Sequence, residues 1–335
     1  MILAGDIGGT NARLALFESR PGGPALVALE TYASREHGGL EQLVRQFREL
    51  HGQHLEAAAF GVAGPVREGR VATTNLPWVV YAGELAGVLG VPEVVLMNDL
   101  EALAWSLDVL APEGLVELQA GRGVASGSRV VIAAGTGLGE AVLARAGYGA
   151  VVLASEGGHA DFAPRTEIEI ALLRWLVARY GRASWERVLS GPGLYDVYRF
   201  LRETGHGDEP GWLAEELRAG DPAVAISRAA LEQRSGVCAE ALDLFVSVYG
   251  AEAGNFALRT LAAGGVYLGG GIAPQILTWL ERPTFLAAFL DKGRLRPLLE
   301  DVPVRVIVDG RAGLTGAARR ALEPLTPGAA TSASR

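Results

Sequence analysis

Asp99 stands where an apolar run, Val94 to Met97, gives way to a helix start in Leu96-Met97-Asn98-Asp99. Strand ends in α/β proteins are where ligands bind. A carboxylate at a helix N-terminus tends to stay ionised, and an ionised carboxylate can take the proton of an attacking hydroxyl, worth about 10²–10⁴ in rate. Asn98 is in the place of an N-cap, and an Asn-Asp helix start also forms without any function. Further on, Ser155-Glu156-Gly157-Gly158-His159-Ala160-Asp161-Phe162 sets two glycines between an acid and an imidazole, so that both side chains can converge. A lone histidine is more often a satisfied structural residue. Zinc is discounted here, because Cys238 is the only cysteine and neither a Cys-based zinc site nor an internal disulfide can form. Carboxylates, an amide and an imidazole each bond one or two hydroxyls, which is how a polyhydroxyl site rejects analogues that lack one. Thr166 to Glu169 fits a capping box, so those acids are assigned to structure.

Three glycine clusters accompany these groups. In GDIGGTNARLALF, Gly5 to Phe17, the apolar run Ile2 to Ala4 precedes Gly8-Gly9, and Ala12, Leu14 and Leu16 alternate with Arg13 after it. The turn joins strand to strand, unlike a Rossmann or Walker site. Its consecutive amides and the Thr10 hydroxyl can cradle phosphate, and Asp6 can hold hydrated Mg²⁺; a tight hairpin whose aspartate serves the turn would read the same way. RVVIAAGTGLGEAVLA, Arg129 to Ala144, repeats the pattern with Gly135-Thr136-Gly137-Leu138-Gly139 as its turn. The third cluster, Gly269-Gly270-Gly271, follows Val266-Tyr267-Leu268 and precedes a helix; there the backbone can pass close to a flat base, or simply make a tight strand-to-helix turn. Asn11, Asn75 and Asn98, three of only four asparagines, lie beside such features.

The elements that must position these groups read as β-β-β-α-β-α-β-α over residues 1 to 110, with strands near 2–6, 11–18, 25–32, 57–63 and 93–97 and the clearest helices at 39–51 and 99–110. Residues 129–134, 140–146 and 150–154 repeat the three-strand opening. Helices follow at about 166–180, 191–204, 211–219, 222–232 and 236–262, then a strand at 265–269, helices near 275–292, a strand at 303–308 and a closing helix at 314–322. EPLTPGAATSASR, from Glu323, is expected to be disordered. A chain of 335 residues with ordinary globular composition is too long for one small core, and two lobes follow. A formal charge of −8 argues against nucleic acid or an anionic membrane as main partner. The opening lacks a basic segment and the longest apolar run is too short for a span, so a cytoplasmic protein is expected. Lys292 is the only lysine, so no lysine-bearing P-loop exists. Few asparagines and methionines fit a heat-adapted source, as arginine-rich coding also would.

These segments resemble the bacterial glucokinase family, within the sugar kinase, actin and chaperone-type ATPase superfamily. GDIGGTNARLALF is similar to its first phosphate motif, AAGTGLGEA to its second, LMNDLEALAWSL to the segment of the catalytic aspartate and SEGGHADFAPRTEIE to the sugar-binding loop. WERVLSGPGLYDVYRF and GVYLGGGIAPQIL follow in family order. The resemblance implies a two-lobed, actin-like (ribonuclease H-like) α/β fold with a duplicated βββαβαβα core and an interlobe cleft. Residues 1–110 with about 301–322 would form the small domain and 111–300 the large one. It implies ATP-dependent phosphorylation of glucose at the 6-hydroxyl, the first step of glycolysis, by a cytoplasmic homodimer.

By the same resemblance Asp99 is the general base, and Asn98, Asp99, Glu156, His159 and Glu186 bind glucose, with Gly137 at the sugar end of the second loop; Asn75 joins the sugar-binding candidates for its place among the scarce asparagines. Gly5, Asp6, Ile7, Gly8, Gly9, Thr10, Asn11, Gly135, Thr136, Gly137 and Gly139 hold ATP phosphates around Mg²⁺, with Asp6 toward the metal; Gly269, Gly270 and Gly271 lie near adenosine. Glu186 comes from the resemblance alone. The Cys-rich zinc motif of the related kinase-repressor group is missing, which favours a zinc-free branch. No role follows for Glu140. The alternatives are a kinase for another hexose, or one using polyphosphate, since no residue reads the sugar's 2-position. A sugar-sensing regulator would need a DNA-binding segment ahead of Gly5.

Overall fold

The computed structural model describes residues 1–73, 76–146 and 149–323. Two compact units emerge: Met1–Leu110 together with the chain from Gly310, and Ala111–Asp309. In the first unit β1 (Ile2–Ile7), β2 (Asn11–Arg20), β3 (Gly23–Ala33) and β4 (Ala57–Val62) are followed by a small antiparallel ribbon, β5 (Val66–Arg67), β6 (Arg70–Ala72) and β7 (Val79–Tyr81), and then by β8 (Val94–Asn98). The main sheet runs β3-β2-β1-β4-β8. Its hairpins are antiparallel, whereas β1, β4 and β8 are parallel and joined through helices. Apolar side chains from both strands and helix faces, among them Leu3, Leu14, Phe47 and Phe60, bury one core. The closing helix, Ala312–Ala321, packs on the helix Asp99–Ser106 so tightly that a side chain at Gly316 would strike the carbonyl of Ala102.

The second unit repeats the plan. Its strands are β9 (Leu115–Gln119), β10 (Arg129–Ala134), β11 (Leu138–Ala146), β12 (Gly149–Ser155), β13 (Gly265–Gly269) and β14 (Val304–Ile307), in the order β12-β11-β10-β13-β14-β9. Helices Glu167–Tyr180, Gly191–Glu203, Gly211–Ala219, Pro222–Leu231 and Gly236–Thr260 supply its larger core.

Four expectations change. The helix from Asp99 stops at Ser106, not near 110. β9 has no counterpart in the sequence reading. It is an edge strand whose pairing with β14 lies far along the chain, and its pattern is only half-buried. Val304–Ile307 bonds to β13 and so belongs to the second sheet; the chain returns to the first unit at Gly310 instead of about 301. The helices read near 275–292 begin earlier, at Ile272, and are three short ones, Ile272–Gln275, Leu277–Leu280 and Pro283–Leu290, with proline starting the last. The tail beyond Glu323 lies outside the described residues.

Candidate functional site

In the first unit β8 hands over directly to the Asp99 helix. Asn98 Oδ1 accepts the Glu101 N–H at 2.5 Å, and Glu101 Oε2 accepts the Asn98 N–H at 2.9 Å, a reciprocal cap. That commits the Asn98 oxygen to the helix and leaves its NH₂ as the group to offer a ligand. Asp99 Oδ1 accepts the Leu100 N–H at 2.9 Å. Its side chain reaches solvent, yet protein around the carboxyl removes enough water to raise its pKa above the usual aspartate value. The Leu100 amide opposes that rise and the charge of Asp6 adds to it. The helix start therefore favours the ionised form, as its place in the sequence suggests, but loss of water outweighs it.

The first turn is closed by the Gly8 N–H donating to Asn11 O at 3.0 Å and is tied down by Ser34, whose N–H donates to Thr10 O and whose Oγ–H donates to Gly8 O. Asp6 is ion-paired with Arg13 opposite it on β2, and Arg13 also donates to Gly310 O at 2.6 Å. Gly5 and Ile7 do not line the turn. Gly5 is covered by Phe60 and Leu14, and Ile7 is in the core, because both lie on the strand proper. Asn75 falls outside the described residues. Arg13 is a charged group that the sequence reading passed over; its alternation opposite Ala12 and Leu14 marked it only as outward-facing.

In the second unit three sequence-distant segments meet. The Gly135 N–H donates to Gly137 O at 2.8 Å, closing the turn, while Gly139 is already inside β11 opposite Ala133. Glu186 Oε2 accepts the Leu138 N–H at 3.0 Å, and Glu186 Oε1 lies 3.8 Å from His159 Nδ1. Glu186 reaches this place because 160–162 and 183–185 are zipped together. Trp185 N–H donates to Ala160 O, Phe162 N–H donates to Ala183 O, and the buried Phe162 and Trp185 rings pack edge to face at 5.3 Å. Glu156 and His159 flank the two glycines and are exposed, with the His159 N–H donating to Glu156 O at 2.9 Å. Asp161 and the His159 carbonyl both bind Arg182, which assigns Asp161 to structure. Glu169 likewise is buried against Arg165.

A cavity of about 500 Å³ opens beside the same turn. Gly135, Thr136, Gly191, Tyr195, Asp221, Ser227, Gly271 and Gln275 line it. The helices Gly191–Glu203 and Pro222–Leu231 both begin there, and helix starts favour anionic groups. Of the third glycine cluster only Gly271 reaches the cavity. Gly270, at φ +80°, lies against the backbone of Ala134 where no side chain would fit, and Gly269 is within β13. Tyr195, Asp221, Ser227 and Gln275 were not foreseen as site residues. Asp221-Pro222 is a readable helix start, but nothing local says that it faces a ligand.

Among the described residues no cluster of three or more His, Cys, Asp or Glu side chains could hold a metal, and no helix is long and apolar enough to cross a membrane. The family model described as Glucokinase matches residues 3–324. A glucokinase of Nostoc punctiforme is 41% identical, over 95% of this chain and 98% of its own. The crystal structure of a glucokinase from an Antarctic psychrotroph superposes with a TM-score of 0.87 at 30% identity, covering 96% of this chain and 98% of that one. A ROK family glucokinase from Streptomyces griseus, crystallised with glucose and AMPPNP, shares the fold at a TM-score of 0.62 and 23% identity, with coverage of 96% and 98%.

Proposed function

The chain belongs to the glucokinase family, and from that we infer that it transfers the γ-phosphoryl group of ATP to the 6-hydroxyl of glucose. The observation that carries this reading is the end-to-end match to relatives named glucokinase. The glycine turns, the Asp99 helix start and the Glu156, His159 and Glu186 cluster give it residues. Asp99 accepts the proton of the 6-hydroxyl while that oxygen bonds to the γ-phosphorus; the bond to the β,γ-bridging oxygen breaks and ADP leaves. A pKa raised above the ordinary aspartate value makes Asp99 a better proton acceptor near neutrality. Asn98, Glu156, His159 and Glu186 bind sugar hydroxyls, and the amides of the Gly8–Thr10 and Gly135–Gly137 turns hold phosphate oxygens, supported by the helix starts around the cavity. Asp6 is one carboxylate beside a phosphate turn, the donor set Mg²⁺ takes alongside substrate phosphates, and the metal would neutralise phosphate charge there. Arg13, already paired with Asp6, is the arginine available in a chain with no lysine at this turn. We also propose a zinc-free, cytoplasmic homodimer; sedimentation tests the last.

The test is sugar-dependent ADP release with Mg-ATP over a hexose panel, run on the wild type and Asp99→Asn. Glucose is expected to be preferred and the variant to lose at least about a hundredfold in turnover. Preference for another hexose would keep the mechanism and change the substrate. No stimulation by any sugar, with ATP or polyphosphate, would overturn the reading.

A further inference from the structure

A buried acid lies directly beneath the Glu156–His159 turn and shares one arginine with a second buried acid. Glu140, on β11, is 1% exposed, and Glu252, on the helix Gly236–Thr260, is fully buried. Arg259 pairs closely with Glu252 Oε1 and lies 3.6 Å from Glu140 Oε2; Asn255 Nδ2 donates to Glu252 Oε2 at 3.1 Å. Glu140 Oε1 is buried and has no hydrogen-bond partner. A carboxylate charge on Glu140 would have no hydrogen-bond donor at Oε1, and one proton on Glu140 removes that cost. Burial first, then the charge of Glu252, pushes the Glu140 carboxyl up to about 8, with Arg259 pulling the other way. Lys292, whose Nζ–H donates to Ala251 O at 3.1 Å, brings a further positive charge toward Glu252 from outside the long helix. The long helix presents Glu252, Arg259 and the Tyr249 hydroxyl, which is committed to Ile132 O; β10 and β12 place Ile132 and Ser155 opposite; the turn adds Glu156 and His159.

The turn rests on this acid. Ser155, the β12 partner of Glu140, accepts the Gly157 N–H on its Oγ at 3.0 Å. The space where Gly157 would carry a Cβ is filled by the Glu140 carboxyl, and the same space at Gly158 is filled by the Leu138 carbonyl. Two consecutive glycines thus sit on two β11 residues of one face. We propose that Glu140 is a positioning residue for sugar binding: as an uncharged acid beneath Gly157 it holds the turn that carries Glu156 and His159 in its sugar-accepting place, and its ionisation releases the sugar. The proposal rests on the reading of that turn as the sugar site. Once ionised, the carboxylate moves closer to Arg259 or draws in water, and either change disturbs the packing under Gly157. It also adds negative charge beneath Glu156.

The experiment is calorimetric titration of the full chain with glucose, without nucleotide, from about pH 6.5 to 9, on wild type, Glu140→Gln and Glu156→Gln. The wild-type dissociation constant is expected to rise about tenfold between pH 7 and 9, the effect of one ionisation near 8, and to stay within about twofold in Glu140→Gln. A flat wild-type profile overturns the proposal, as does a rise that persists in Glu140→Gln. Should Glu140→Gln not fold, Glu252→Gln takes its place: removing the neighbouring charge moves the step to lower pH, and an unmoved step overturns the proposal. If Glu156→Gln binds glucose as tightly as wild type, the sugar reading of the turn falls and the proposal with it. A flat wild type beside a Glu156→Gln that no longer binds sinks the proposal alone.

Discussion

The β1–β2 and β10–β11 hairpins pair their strands alike, yet they carry their charged groups at different steps of the ladder. Ile7 opposite Ala12 closes the first and Ala134 opposite Leu138 closes the second. One step back, the first has Asp6 facing Arg13, where the second has Ala133 facing Gly139. Two steps back, the first has the fully buried Leu14, where the second has the buried Glu140. An acid near the end of the ladder is balanced by the residue across from it. An acid two steps in must share its surroundings with Glu252 and Arg259 from a distant helix, or hold a proton. One architecture thus places an acid where it can meet a ligand in one unit, and where it can only support a turn in the other.

The sharpest way to break the comparison is to exchange the inner positions. Leu14→Glu would bury a charge with no Arg259 to meet it. A loss of about 3–5 kcal/mol is expected for an uncompensated buried charge, out of a total of about 5–15. Thermal melting should show the first unit unfolded or the midpoint far lower. Glu140→Leu, which makes the second hairpin like the first and leaves the Glu252–Arg259 pair intact, should melt no lower than wild type.

Asp99→Asn comes next, with at least about a hundredfold less turnover. In the wild type the rate should fall on acidification at a pH above the ordinary aspartate range, because burial raises the Asp99 pKa; a pH profile of kcat/KM reads this. Gly157→Ala drives a methyl group into the Glu140 carboxyl, and the glucose KM should rise about tenfold, the scale of 1–3 kcal/mol for overpacking. The Gly157→Ala, Glu140→Ala double variant should recover most of it, since contacting residues are not additive. The smallest effect is on stability. Glu140 is raised from 4.5 to about 8 on folding, so between those values the folded state binds the extra proton. Stability therefore falls as pH rises through that window, and denaturant titrations should show the fall reduced in Glu140→Gln.

Much of this was legible wherever partners are close in the chain. The alternation around Gly8-Gly9 and around Gly135-Gly137 named both hairpins, and Asn98 with Glu101 three residues on is a cap that needs no tertiary information. The long helix Gly236–Thr260 was read nearly to its ends. β9 escaped because its pairing with β14 depends on a strand far along the chain. Glu186 had no local signal at all. Only the zipper of 160–162 with 183–185 carries it to the Leu138 amide.

The α/β plan, the two glycine hairpins, the acid at a helix start and the Glu-Gly-Gly-His turn follow from the order of residues alone, because periodicity, caps and turns are interactions between near neighbours. Which glycines line the cavity, that Asp6 is balanced by Arg13, and that Glu140 lies against Glu252 and beneath Gly157 are matters of tertiary structure. Burial and the company of charges depend on which distant segments pack together, and those two quantities govern what a carboxyl group can do.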